Sequence, residues 1–230
     1  MQDQIHQQIL VLIAARSRAC LLQCDGVGRV LDRLAHPGSA VSRDIREAES
    51  LDACLSRQVR DEWIDLIREA ICAGRCIESL VVLDGIGLEL SVLPTDASPT
   101  RRAAWLMLMP LGDAVTAGAH CHRRALRNHE WGRLDALSRC QLDTLRHVTN
   151  GQSNQQIADH MHRSKRAVEW HIRHLHRLLG AGTRECLARV GRAAGIDRFS
   201  DPEWADLLGT RPARRTLEEY ALARPGGRAA

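Results

Sequence analysis

The sequence predicts an α+β first half, a small antiparallel sheet with helices gathered on one side, followed by an all-α unit of four short helices. Three observations carry this. Apolar spacing switches between the helical period and short strand-like runs, and two of those runs break at Asp-Gly pairs (Asp25-Gly26 and Asp84-Gly85). Four helix N-cap signals follow one another between Ser138 and Thr183. The charge also changes sign along the chain: residues 1–119 carry 12 basic and 16 acidic side chains, whereas 120–196 carry 14 and 6.

The chain has 230 residues, 44% of them hydrophobic, so it can bury a sizeable core. The longest apolar runs, ILVLIAA and AAWLML, fall far short of the roughly 18 residues a membrane span needs. The start, MQDQIHQQ, lacks the basic stretch of a signal peptide. A cytoplasmic protein with no membrane partner is expected. None of the eight cysteines forms a CxxC pair, and the 20/24 and 72/76 spacings match zinc modules poorly. They read as reduced, partly buried small apolar residues. No P-loop, HExxH, nucleophile elbow or paired-carboxylate motif is present, so an enzyme is not expected.

Taken in order, residues 1–17 form an N-terminal helix, with Ile5, Ile9, Leu12 and Ile13 at helical spacing. ACLLQCDGVGRVLD reads as two strands about an Asp25-Gly26 turn. Residues 44–74 are helical, with Trp63, Ile64, Ile67 and Ile71 on one face. CIESLVVLDGIGLELSVLP is a second hairpin, turning at Asp84-Gly85, and RAAWLMLMPL is a fifth strand. This order resembles the PAS sensor fold over residues 18–112: five antiparallel strands with helices inserted after the second. The resemblance implies sensing or dimerisation. No flavin-binding cysteine motif is found, and His6 and His36 are the only histidines available here to a haem. The cofactor is therefore unknown, and a small ligand remains open. A phosphorylated receiver domain would need a late lysine, and this half has none. Residues 113–131 read as a linker with helical tendency. Its His120 and His122 would point to different sides of a helix, which disfavours a metal.

The unit 132–196 is bracketed by caps. Ser138 and Gln141 form a capping box before a helix lined by Leu142, Leu145 and Val148. Ser153 and Gln156 open a second, with Ile157, Ala158 and Met161 inward. Ser164 opens a third, which Gly180 ends, and Thr183 opens a fourth, with Leu187 and Val190 inward. Two short helices a few residues apart, the second basic, define a helix-turn-helix. On a wheel, Val168, Ile172, Leu175 and Leu179 occupy an arc of about 60°. Glu169, Arg173, Arg166, Arg177 and Trp170 occupy the opposite side. His171, His174 and His176 fall at about 300°, 240° and 80°. They cannot share one metal, and His171 borders the apolar stripe.

Residues 137–187 closely resemble the helix-turn-helix of LuxR/FixJ-type transcription regulators. Matching positions include Leu137, Leu145, Gly151, Ser153-Asn154, Ile157-Ala158, Ser164, Val168, His171, Leu175, Leu179-Gly180 and Arg184-Glu185. Departures fall at Arg139, Gln141, Ala167 and Leu178, where the family often has Pro, Glu, Thr and Lys. The resemblance implies a regulator of transcription that binds double-stranded DNA as a homodimer, with RNA polymerase as a further candidate partner. The helix from Ser164 would be the recognition helix. Lys165, Arg166, Arg173 and Arg177 would touch phosphates or guanine edges, and Glu169 a cytosine amino group. Trp170 would pack on a sugar or thymine methyl, and Ser153, Asn154 and Gln155 would meet phosphate. The last helix, 184–194, would pair subunits. In the tail, 197–230, DPEWADLLG and TLEEYALAR read as short helices.

Overall fold

The computed structural model describes residues 18–95, 102–111 and 121–210. The N-terminal helix, the nine residues after Leu111 and the TLEEYALAR segment lie outside them. The chain divides into two compact units, the first running in the main to Glu130 and the second starting at Trp131.

The first unit contains β1 (Cys20–Asp25), β2 (Val30–Ala35), α1 (Arg43–Arg46), α2 (Leu51–Cys54), α3 (Arg57–Ala73), β3 (Ile77–Leu83), β4 (Ile86–Pro94), β5 (Ala103–Pro110) and β6 (His122–Arg123). The sheet order is β2-β1-β5-β4-β3-β6. β1 pairs antiparallel with β2 and β5, and β4 with β5. With the helices inserted after β2, this is the PAS-like arrangement. An antiparallel sheet is also not the parallel sheet of a receiver domain. The strand count differs from the five expected: β6 adds a sixth, parallel to β3, with Ile77 opposite His122. Two residues are too few to leave an alternation signal.

The two Asp-Gly turns behave differently. At the second, Asp84 (φ 50°) and Gly85 (φ 77°) form the expected two-residue hairpin. At the first, the turn is longer. The Asp25 carboxylate accepts from the Val27 and Arg29 N–H groups at 3.0 and 2.9 Å, and positive φ falls on Gly28, not Gly26. Gly28 sits under Ile64, where a Cβ would come within 3.1 Å of that side chain.

The central strands are buried on both faces. Leu21, Trp105, Met107 and Met109 form one apolar cluster, while Cys20, Leu22, Cys24, Ala104, Leu106 and Leu108 alternate with them. α3 packs against β5. Its buried stripe is Val59, Trp63, Leu66, Ile67 and Ala70. Ile64 and Ile71, expected on that stripe, lie at its margins and are half-buried.

Residues 121–130, expected as linker with helical tendency, run extended beside β3 and α3. The Ser79 hydroxyl donates to the Arg124 carbonyl at 2.6 Å, and the Glu130 N–H to the Val82 carbonyl at 2.7 Å. The Glu62 carboxylate accepts from the Arg127 and Asn128 N–H groups, each at 2.9 Å. Acceptors on a folded sheet and helix thus take up backbone donors that a free linker would leave to water.

The second unit opens with a 3-10 turn (Gly132–Ala136). Then come α4 (Arg139–Thr149), α5 (Asn154–His160), α6 (Lys165–Leu179), α7 (Arg184–Ala193) and α8 (Asp201–Gly209). α8 is the DPEWADLLG segment, read from the sequence as a short helix following the four of the helix-turn-helix unit. Trp204, Leu207 and Leu208 are its buried face. The Trp204 indole N–H donates to Asp143 at 2.7 Å. Arg146 donates to the Phe199 carbonyl at 2.7 Å, pairs with Asp201 at 2.8 Å, and lies 5.6 Å over the Trp204 ring.

Two stability predictions follow from these contacts. α7 passes α4 so closely that a Cβ on Gly191 would lie 1.9 Å from the Thr149 hydroxyl. Gly191→Ala should therefore cost about 1–3 kcal/mol by overpacking, read as a lower melting temperature. In the first unit, burial pushes the His129 pKa down to about 4 from 6.5. Between those values the unfolded chain binds more protons, so stability falls as pH drops from 6.5 towards 4. About 2 kcal/mol should be lost between pH 7 and pH 5. Urea midpoints at the two pH values read this loss, and His129→Gln should flatten the difference.

Candidate nucleic-acid interface

α5 and α6 are joined by four residues, with His162 in the left-handed region (φ 50°). Each helix starts at the serine expected. Ser153 accepts from the Gln156 N–H at 3.3 Å, and the Gln156 side chain returns to the Ser153 N–H at 2.8 Å. Ser164 accepts from the Ala167 N–H at 3.2 Å. α6 ends at Gly180, whose left-handed backbone (φ 63°) suits a residue without Cβ.

α6 is anchored by Val168, Ile172, Leu175 and Leu179, all buried. It packs on α4 and α5, which contribute Leu142, Leu145, Val148, Ile157 and Ala158. Met161 and Val190, expected inward, are half-buried. Two polar contacts hold the far end of α6. Arg133 donates to the Leu179 carbonyl at 2.6 Å, and His176 Nδ1 lies 2.6 Å from the Ala181 carbonyl oxygen.

The outward side carries Lys165, Arg166, Arg173 and Arg177, all exposed, with Glu169 half-buried beside them. Among the described residues no carboxylate pairs with any of the four cations. Arg166 and Arg177 are eleven residues apart, so the charged side extends about 16 Å along the axis. Trp170 is 48% exposed, large for an apolar ring. It is not loose: its ring stacks on His174 at 3.9 Å and meets the His171 edge at 5.1 Å. Burial, then His174 and Arg163, lower the His171 pKa, so its ring favours the neutral form. Two of the three helix histidines, His171 and His174, thus meet the Trp170 ring, and His176 meets a carbonyl.

The start of α5 is more occupied than its sequence suggests. Gln155 donates to Asp159 at 2.9 Å, and the Asn154 side-chain oxygen accepts from Arg184 at 2.8 Å. Arg184 also donates to the Gln152 carbonyl. It therefore ties the start of α7 to the turn before α5. That role was not readable from the sequence, although Arg184 stands among the positions resembling the LuxR type.

The geometry defines a helix-turn-helix domain with one long helix whose cationic side has no carboxylate partner among the described residues. Residues 135–190 match the GerE family of bacterial regulatory proteins, luxR family, so the helical unit carries a LuxR-family domain. No curated protein is detectably similar to the chain. Among solved structures, the Vibrio cholerae VqmA–ligand–DNA complex is 15% identical, over 88% of this chain and 92% of that one, with a TM-score of 0.40. The phage VqmA–DPO complex is 13% identical, over 87% and 94%, with a TM-score of 0.38. A domain of an HTR-like protein from Haloarcula marismortui ATCC 43049 is 15% identical, over 40% and 97%, with a TM-score of 0.34. Overlaps this loose transfer no ligand or partner to this chain. No described helix is long and apolar enough to cross a membrane.

Arg184→Ala should loosen α7 from α5 and lower the stability of the helical unit by about 1–3 kcal/mol. Arg184→Lys should not restore it, because a point ammonium cannot serve both acceptors in the geometry of a planar fork. Thermal melting of the three proteins reads the difference.

Proposed function

We propose that the chain is a transcription regulator that binds double-stranded DNA as a homodimer and lays α6 in the major groove. The four unpaired cations on the outward side of α6 carry this reading. A helix that spends its apolar side on the core and leaves Lys165, Arg166, Arg173 and Arg177 without carboxylate partners suits a polyanion. Its 15 residues, about 22 Å long, suit a groove about 12 Å wide.

In this reading the four cations contact phosphates or guanine edges, and Glu169 accepts from a cytosine amino group. Trp170, pre-set by its stack on His174, packs on a sugar or thymine methyl. Ser153, Asn154, Gln155 and Ser164 position the domain on the backbone. Asn154 does so with its amide N–H₂, since its oxygen is taken by Arg184. α7 pairs subunits, which implies two-fold half-sites. The PAS-like unit is the sensing half, and its signal shifts DNA affinity or geometry.

The test is DNA binding by the full chain on an operator selected from random duplexes, followed over a salt series. Arg166→Ala/Arg173→Ala should weaken binding at least tenfold and lower the salt slope by about two if both touch phosphate. Unchanged affinity and slope would remove α6 from the interface.

A further inference from the structure

Strand pairing brings together three ligand-type side chains that sequence spacing keeps apart. Cys76 immediately precedes β3, Glu78 lies within it, and Cys121 immediately precedes β6. The parallel pairing sets these segments side by side: the His122 N–H donates to the Cys76 carbonyl and the Arg124 N–H to the Glu78 carbonyl, both at 2.9 Å. Cys76 and Glu78 are two residues apart on one strand and so share a face, and Cys121 meets them there. The two thiol sulfurs and a carboxylate oxygen all lie within 4.8 Å of one another.

A second observation points to a ligand. Glu78 is only 8% exposed, and its Oε1 accepts no hydrogen bond among the described residues. A buried carboxylate without a full set of partners is costly unless a cation neutralises it. Arg124 pairs with Glu69 on α3 and Arg75 with the same carboxylate, while Arg123, opposite Glu78 in the register, is exposed.

We propose that Cys76, Glu78 and Cys121 form a site for a thiophilic divalent cation, of which Zn²⁺ fits best. Two thiolates favour a borderline-soft metal, and the hard carboxylate oxygen argues against Cu(I). Tetrahedral zinc at about 2.3 Å from each sulfur sets the sulfurs about 3.8 Å apart, inside the 4.8 Å that bounds the three ligand atoms here. Three protein ligands leave the fourth position to water or a small molecule. The metal would staple β6, a two-residue edge strand, to the sheet.

Without metal both thiols are held protonated. Burial, then the adjacent Cys121, raises Cys76; burial raises Cys121 against the lowering contact with Cys76, with Glu78 and Glu89 adding to the rise. Binding therefore breaks two S–H bonds, forms two metal–sulfur bonds and releases both protons to solvent. The logarithm of affinity should rise with pH with a slope of about two.

The test uses the full chain, reduced, stripped with a chelator and titrated with Co²⁺ as a spectroscopic probe for zinc. One equivalent should give a thiolate-to-cobalt charge-transfer band, which Zn²⁺ then abolishes. Cys121→Ser and Cys76→Ser should each lose the band, while Glu78→Gln keeps thiolate character but binds at least about tenfold more weakly. Zn²⁺ should raise the melting temperature of the wild type and not of Cys121→Ser, with circular dichroism confirming that the variant folds. Both cysteines are half-buried, so neither substitution empties the core. A band that survives in both cysteine variants overturns the site, because the other six thiols would then be the ligands. Absence of any band from the reduced wild type overturns it too. So does a Cys76–Cys121 disulfide that persists under zinc saturation in mass spectra.

Discussion

Burial of Val168, Ile172, Leu175 and Leu179 fixes which side of α6 faces outward, and the rest of the helical unit serves that constraint. Rotating α6 by one residue, about 100°, would put Arg173 or Glu169 into the core and expose the aliphatic stripe. Each buried leucine or isoleucine contributes about 1.5–3 kcal/mol against that rotation. The surrounding contacts make the seat rigid. Gly191 lets α7 approach α4, Arg184 joins α7 to the turn before α5, and Arg133 holds the last carbonyl of α6. A side chain presented to a groove must be held this way, since misplacement of an ångström forfeits a bidentate hydrogen bond.

The helical unit was the more legible half in the sequence because its signals are local. Ser138, Ser153, Ser164 and Thr183 each cap a helix where the residues themselves announce one, and all four side chains accept the expected backbone N–H. The apolar stripe of α6 follows from its spacing alone. What escaped were long-range partners. Arg184 reaches Asn154 and Gln152 across some thirty residues, and Arg146 gathers Phe199, Asp201 and Trp204 across more than fifty. Nothing in the neighbourhood of either arginine indicates where its guanidinium ends.

In the PAS-like half the elements were readable and the fine geometry was not. Asp84-Gly85 is a two-residue turn as its sequence indicates, yet the similar Asp25-Gly26 is not. There the carboxylate of Asp25 collects two N–H groups and draws out a longer loop, and the left-handed backbone at Gly28, with Ile64 close above it, favours glycine there. The margin of α3 was misplaced too. Both Ile64 and Leu66 are apolar, yet Leu66 is fully covered and Ile64 only half-buried. β6 depends entirely on pairing: residues 121–130 have no strand signal of their own and take their form from β3 and the carboxylate of Glu62.

Charge shows the same division between composition and place. The excess of positive charge over 120–196 does not say which cations are free. In the first unit arginines and carboxylates largely consume one another: Arg43 with Glu47, Arg60 with Asp52 and Asp61, Arg124 with Glu69. In the second unit Arg146 and Arg184 are spent on the fold. Arg139, Arg163, Arg189 and Arg192 are exposed elsewhere in the unit, but the outward side of α6 gathers four cations along about 16 Å with no carboxylate partner among the described residues. Surface ion pairs are individually weak, so leaving these cations without carboxylate partners costs the fold little. Leaving four unpaired on one helix keeps their field directed outward, where a polyanion can meet it.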